Sequence, residues 1–186
     1  MSANTAPTPD TKQADLLLAQ GLAASQAGQS EQAITLWQQA SSHVPHAGMP
    51  HFLIGSEYAA QGNVRAAETA FANAVLLAPG LSLARYQLGL LLMTTDRMAT
   101  ALVIWQPLLT VSEADPITPA LAQFVRGHAA LAQNDFAQAV ALFNAGIKLN
   151  TTHAPVSDDI RQLIQRIEAV QSQPTGPSPA VSVRLR

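Results

Sequence analysis

The sequence predicts an all-α fold: antiparallel helix pairs repeated along the chain, closed at the C-terminal end by one capping helix. Three observations predict it. Gly21, Gly55 and Gly89 stand 34 residues apart, and Gly127 follows after 38, the same step with four residues added. Twelve residues after each glycine stands an alanine (Ala33, Ala67, Ala101, Ala139), and four further on a large aromatic (Trp37, Phe71, Trp105, Phe143). The segments between, "GQSEQA", "GNVRAA", "DRMATA" and "NDFAQA", each open on Gly, Asp or Asn, the residues that best tolerate a left-handed helix end.

Residues 1–13 have no run of apolar residues and are expected to be disordered. The helix pairs are expected at 14–47, 48–81, 82–115 and 120–151. Pro45 and Pro79 close the first two, because proline stops a helix and restricts the residue before it. In "LIGSEYAAQGNVRAAETAF", Gly55 interrupts an apolar helical run at a cost of about 1 kcal/mol relative to alanine. Its recurrence assigns it to a close helix crossing. Ala67 is expected opposite and Phe71 beside the contact, with the axes near the short end of the usual range of about 8–10 Å. The third unit carries Pro107 in its second helix, which costs about 3 kcal/mol unless the helix kinks. The third and fourth units are therefore expected to meet at altered geometry, with the extra residues in the loop "SEADPITP". Arg126 stands where the fourth unit expects an apolar residue.

Residues 155–171 read as the capping helix. Asp158 and Asp159 are expected in its first turn, and Val156, Ile160, Leu163, Ile164 and Ile167 form one apolar stripe. Arg161 falls where a fifth packing glycine would stand, so the array is expected to end here. The tail, 172–186, is rich in proline and serine and is expected to be disordered. Its end, "AVSVRLR", alternates apolar and polar residues, a pattern that suits addition to a partner's sheet edge.

Composition narrows the function. The chain is 48% hydrophobic and only 12% charged, with net charge −2, against about 25% charged in an average domain. Lys12 and Lys148 are the only lysines. No basic stripe can track a phosphate backbone, so no nucleic-acid partner is expected. The absence of cysteine excludes a disulfide framework, a thiolate zinc site and a cysteine-linked lipid anchor. No apolar run nears the roughly 18 residues that cross a bilayer, and the first dozen residues lack a signal core. The expectation is a cytoplasmic protein without membrane insertion. No glycine-elbow nucleophile or phosphate-binding glycine loop occurs. His43, His46 and His51 cluster near the first junction without a common zinc-ligand spacing. No catalytic, cofactor-binding or metal-binding residue is expected.

The spacing resembles the tetratricopeptide repeat, whose 34-residue unit reads W-x2-L-G-x2-Y, then A-x3-F, then P. The second unit fits best, with Ile54, Gly55, Tyr58, Ala67, Phe71 and Pro79; His51 departs at the first position. The resemblance covers about Ala14 to Asn150. It implies a right-handed superhelix whose first helices line a concave groove, with positions 2, 5, 9 and 12 of each unit pointing into it. Positions 5 and 9 fall on Leu18 and Leu22, Phe52 and Ser56, Tyr86 and Leu90, and Phe124 and His128. Position 12 adds Met93 and Leu131.

This lining implies an adaptor or scaffold that takes an apolar or amphipathic segment of a partner protein, anchored by Phe52, Tyr86 and Phe124. The competing reading packs the same residues between adjacent repeats, or fills the groove with a terminal segment of the chain. Domains of this family that bind acidic chaperone tails use basic and amide side chains; the matching positions here are Leu18, Leu22, Leu53, Leu83 and Gln87, which cannot hold a carboxylate. Two alternative functions stand beside the scaffold. One is a holding chaperone for a secreted or membrane-bound client, similar to the small chaperones of type III secretion. The other is a non-catalytic regulatory subunit of an enzyme.

Overall fold

The computed structural model describes residues 9–110 and 117–172. Among them stand nine helices and no strand. They are α1 (Pro9–Gln26), α2 (Ser30–His43), α3 (Gly48–Ala60), α4 (Val64–Leu77), α5 (Ser82–Thr94), α6 (Met98–Leu109), α7 (Thr118–Ala132), α8 (Phe136–Leu149) and α9 (Ala154–Gln171). The chain divides into two compact units, Met1–Leu91 and Leu92–Arg186, with the boundary inside α5.

In the first unit α1 packs on α2, α2 on α3, and α3 on α4. The first helix begins at Pro9, ahead of the expected start at Ala14. Proline at the first helical position and Asp10 in the first turn explain the early start, since proline lacks only an amide that would be unpaired there and an acid suits the positive helix end. Residues 1–8 lie outside the described residues.

The core of this unit gathers Ala33, Ile34, Trp37, Ile54 and Ala70, with Leu18, Leu53 and Tyr58 packed against it. A Cβ on Gly55 would lie 2.6 Å from Cδ1 of Phe71. One on Gly21 would enter the Trp37 ring. In the second unit one on Gly127 would lie 2.5 Å from Cδ1 of Phe143. The expected crossing contact therefore needs one correction: the aromatic ring lies over the glycine itself, not beside it. A flat ring fits where a helix presents bare Cα, and the glycine's helix cost is offset by that contact. Trp37 also donates its Nε1–H to the Leu18 carbonyl at 3.2 Å, which satisfies the buried indole.

The turns inside the helix pairs share one backbone solution. Gly28, Gly62, Asp96 and Asn134 have φ of 74°, 73°, 58° and 59°. After each, an amide returns to a carbonyl five residues back: Gln29 to Ala24, Asn63 to Tyr58, Arg97 to Leu92 and Asp135 to Ala130. This is the bond that closes a helix C-terminus around a left-handed residue. Gly62→Ala should cost about 1 kcal/mol in urea denaturation. Nothing lies within 4 Å of a Cβ added there, so the cost isolates the backbone conformation from packing. Asn63 and Asp135 then cap α4 and α8, accepting from the amides of Ala66 and Gln138.

In the second unit α6 packs on α7, α7 on α8, and α8 on α9. Helix α6 runs through Pro107 and ends two residues later at Leu109, so the proline closes the helix's last turn instead of breaking its middle. Most of the loop "SEADPITP" lies outside the described residues. Arg126, out of pattern in the sequence, is exposed on α7.

Helix α9 buries Val156, Ile160, Leu163, Ile164 and Ile167. It starts at Ala154, with Pro155 in the first turn, so Asp158 and Asp159 fall beyond the first turn where they were expected. Asn150 ties α8 to α9. Its Nδ2 donates to the His153 carbonyl at 2.7 Å and to Ser157 Oγ at 2.9 Å, and its Oδ1 accepts from the His153 amide at 3.0 Å. The buried Ser157 hydroxyl is thereby satisfied. Residues 173–186, with the alternating "AVSVRLR", lie outside the described residues.

Candidate functional site

The lining positions of the first unit come from α1, α3 and α5. Leu18, Phe52 and Tyr86 share one repeat position, and Leu22, Ser56 and Leu90 share the next. Leu22 is 47% exposed. Leu18, Phe52, Ser56 and Leu90 are half-buried. The Phe52 ring lies 6.0 Å from that of Phe71, tilted by 41°. The Ser56 hydroxyl donates to the Phe52 carbonyl at 3.0 Å on its own helix. The surface it leaves is apolar in character. At one edge Ser25 Oγ donates to Glu57 Oε2 at 2.7 Å, joining α1 to α3.

Tyr86, Phe124 and His128 take a different place from the one expected: all three are buried. For Phe124 the reason is Gly146 on α8, where an added Cβ would run into the Phe124 ring. The ring packs down onto α8 and fills the space a larger residue would take. His128 lies between Trp105, stacked at 5.7 Å and 20°, and Phe143, edge-on at 5.0 Å and 67°. Burial holds its pKa down at about 3, so the ring is neutral at physiological pH. Met93 and Leu131 are half-buried.

One lining residue escaped the sequence reading. Met49 is 42% exposed and stands at position 2 of the second unit, a position the register already marks. A flexible thioether at such a place suits an adaptable apolar contact.

The junction histidines do not converge. His43 Nδ1 lies 3.7 Å from Asp10 Oδ1, while burial lowers the pKa of His51. Among the described residues no three His, Cys, Asp or Glu side chains are placed to hold a metal ion. No described helix is long and apolar enough to cross a membrane.

A family profile described as tetratricopeptide repeat matches residues 52–106. No curated protein sequence matches the chain at a significant level. Among solved structures, the chain is similar to MamA (residue 41 to the end) from Desulfovibrio magneticus RS-1, with 17% identity, a TM-score of 0.58, and 90% of this chain covering 100% of that one. It is also similar to PilF of Pseudomonas aeruginosa, with 18% identity, a TM-score of 0.64, and 91% of this chain covering 80% of that one. The Cut9–Hcn1 hetero-tetramer of the APC/C matches with 18% identity and a TM-score of 0.66, over 86% of this chain and 31% of that one. At these identities the likeness speaks to fold. With the glycine–aromatic contacts, the four left-handed turns and the profile matched at residues 52–106, it shows the all-α helix-pair fold of tetratricopeptide repeats.

Proposed function

We propose that the chain is a non-catalytic, cytoplasmic interaction scaffold whose first unit receives an apolar or amphipathic segment of a partner protein across α1, α3 and α5. One observation carries this reading. Leu22 and Met49 are exposed and Phe52 is half-buried at repeat positions that the register marks, Tyr86 is buried, and the Ser56 hydroxyl is already bonded to its own helix. Such a surface gains by desolvation and offers little to a charged ligand. Cut9 is seen in a hetero-tetramer with Hcn1, and a place in a multi-protein assembly is the form of scaffold we infer. In the second unit α9 acts as a cap, covering α8 with its apolar stripe and turning charged residues outward.

The partner is to be captured on the full chain and then titrated as a purified protein. Phe52→Ala and Leu22→Asp should each weaken binding by about tenfold or more, with circular dichroism unchanged and little salt dependence. Affinity unchanged in both variants would place the site elsewhere. The apolar lining also suits a holding chaperone; a single secreted or membrane-bound client kept soluble by the chain, in place of a stable assembly, would favour that reading.

A further inference from the structure

We propose that Met49 is a reversible oxidation site, and that its sulfoxide releases the segment held by the first unit. The consequence rests on the groove reading above; the chemistry does not. The chain has no cysteine and four methionines, so thioethers are the only sulfur groups it offers to an oxidant. Among the described residues these are Met49, Met93 and Met98. Met49 is 42% exposed, while Met93 and Met98 are half-buried. A peroxide must reach the sulfur lone pair to react, so exposure sets the order and Met49 comes first. The fold keeps this thioether outside. Met49 is the second residue of α3, between Gly48 and Pro50, which are both buried. A Cβ on Gly48 would lie 2.6 Å from the Ala74 carbonyl oxygen, so α3 begins hard against α4. Successive helical residues turn by about 100°. With residues 48 and 50 both facing inward, residue 49 is left on the outer side, and it cannot turn in without lifting α3 off α4.

The step is an oxygen transfer from hydrogen peroxide. The sulfur lone pair attacks one peroxide oxygen and the O–O bond breaks. The departing hydroxide takes the proton of the transferred oxygen and leaves as water. Sulfur loses two electrons and the peroxide gains them. The product is methionine sulfoxide, polar where the thioether was apolar. Its oxygen is a strong acceptor at a position that an apolar segment desolvates on docking. Buried against such a segment it finds no donor, and that cost weakens the complex. Enzymatic reduction of methionine sulfoxide restores the thioether, so the change can be undone without resynthesis of the chain.

Peptide mass mapping of the full chain in dilute hydrogen peroxide should find oxygen on Met49 at about three times the rate of Met93 and Met98 or faster, with circular dichroism unchanged. The oxidised chain should bind the partner purified for the groove titration about tenfold more weakly, and methionine sulfoxide reductases should restore the affinity. Met49→Leu, close in volume and apolar, should bind as wild type and keep its affinity in peroxide, which separates Met49 from the other three methionines. Met49→Gln should bind as weakly as the oxidised chain with no peroxide present. Oxidation of Met93 or Met98 ahead of Met49 overturns the proposal. So does full affinity of the oxidised chain and of Met49→Gln while Phe52→Ala binds weakly, a result that leaves the groove reading intact. Full affinity in Phe52→Ala, Leu22→Asp and Met49→Gln together removes the groove reading, and the consequence assigned to Met49 falls with it.

Discussion

Gly55→Leu is expected to cost the first unit about 2–3 kcal/mol, although leucine is a far better helix former than glycine. Intrinsic propensity alone predicts a gain of about 0.8 kcal/mol. The packing predicts the opposite. The first carbon added at position 55 already meets Phe71 at 2.6 Å from Cδ1 and 2.8 Å from Cε1. The remaining three carbons have nowhere to go unless the ring leaves. Phe71 is itself buried and sits 6.0 Å from Phe52, so the displacement spreads into the lining of the proposed groove. Overpacking of this kind costs about 1–3 kcal/mol and occasionally more. For a unit of this size the melting temperature should fall by about 10–20 °C. Urea denaturation followed by circular dichroism measures it, and Gly62→Ala gives the contrasting case in which a glycine is required by backbone alone.

Acid should destabilise the second unit through His128. The ring is buried between Trp105 and Phe143, and burial lowers its pKa from 6.5 to about 3. Once unfolded it titrates at its ordinary value. Below pH 6.5 the unfolded chain binds a proton that the folded chain refuses, so stability is full above that pH and falls as the pH drops toward 3. The slope approaches about 1.4 kcal/mol per pH unit, a loss of about 2–3 kcal/mol by pH 4.5. Asp159 works in the opposite sense: burial first, and then Asp158, raise its pKa against the pull of Arg166. It is exposed, and it is present in wild type and variant alike. His128→Leu, close in volume and apolar, should remove most of the difference between the urea midpoints at pH 7 and pH 4.5. An unchanged pH dependence in that variant would show that His128 is not the group responsible.

The sequence disclosed the contacts that recur and hid those that do not. Gly21, Gly55 and Gly127 each meet an aromatic sixteen residues on, because one steric problem is solved the same way in each pair. Gly28, Gly62, Asp96 and Asn134 were legible for the same reason: few residues accept a left-handed backbone. The lining was harder. Position within a repeat says which side of a first helix a residue occupies, but exposure depends on what the facing helix offers there. Phe124 and Phe52 hold one repeat position, yet Phe124 sinks onto Gly146 while Phe52 stays half-buried. Gly146 was the available signal, a second small residue in the fourth pair inviting a second ring. His128 gave no warning, since a histidine on a helix reads as polar until two rings are found around it.

The central claim is that a bare Cα under an aromatic ring joins the helix pairs α1–α2, α3–α4 and α7–α8, and a double-mutant cycle on Gly55 and Phe71 tests it most directly. Gly55→Ala should destabilise wild type by about 1 kcal/mol or more. In the Phe71→Leu background the same change should stabilise by up to about 1 kcal/mol, as alanine does at an ordinary helix position. Stabilisation of equal size in both backgrounds would contradict the account, because it would mean that the ring and the glycine do not meet.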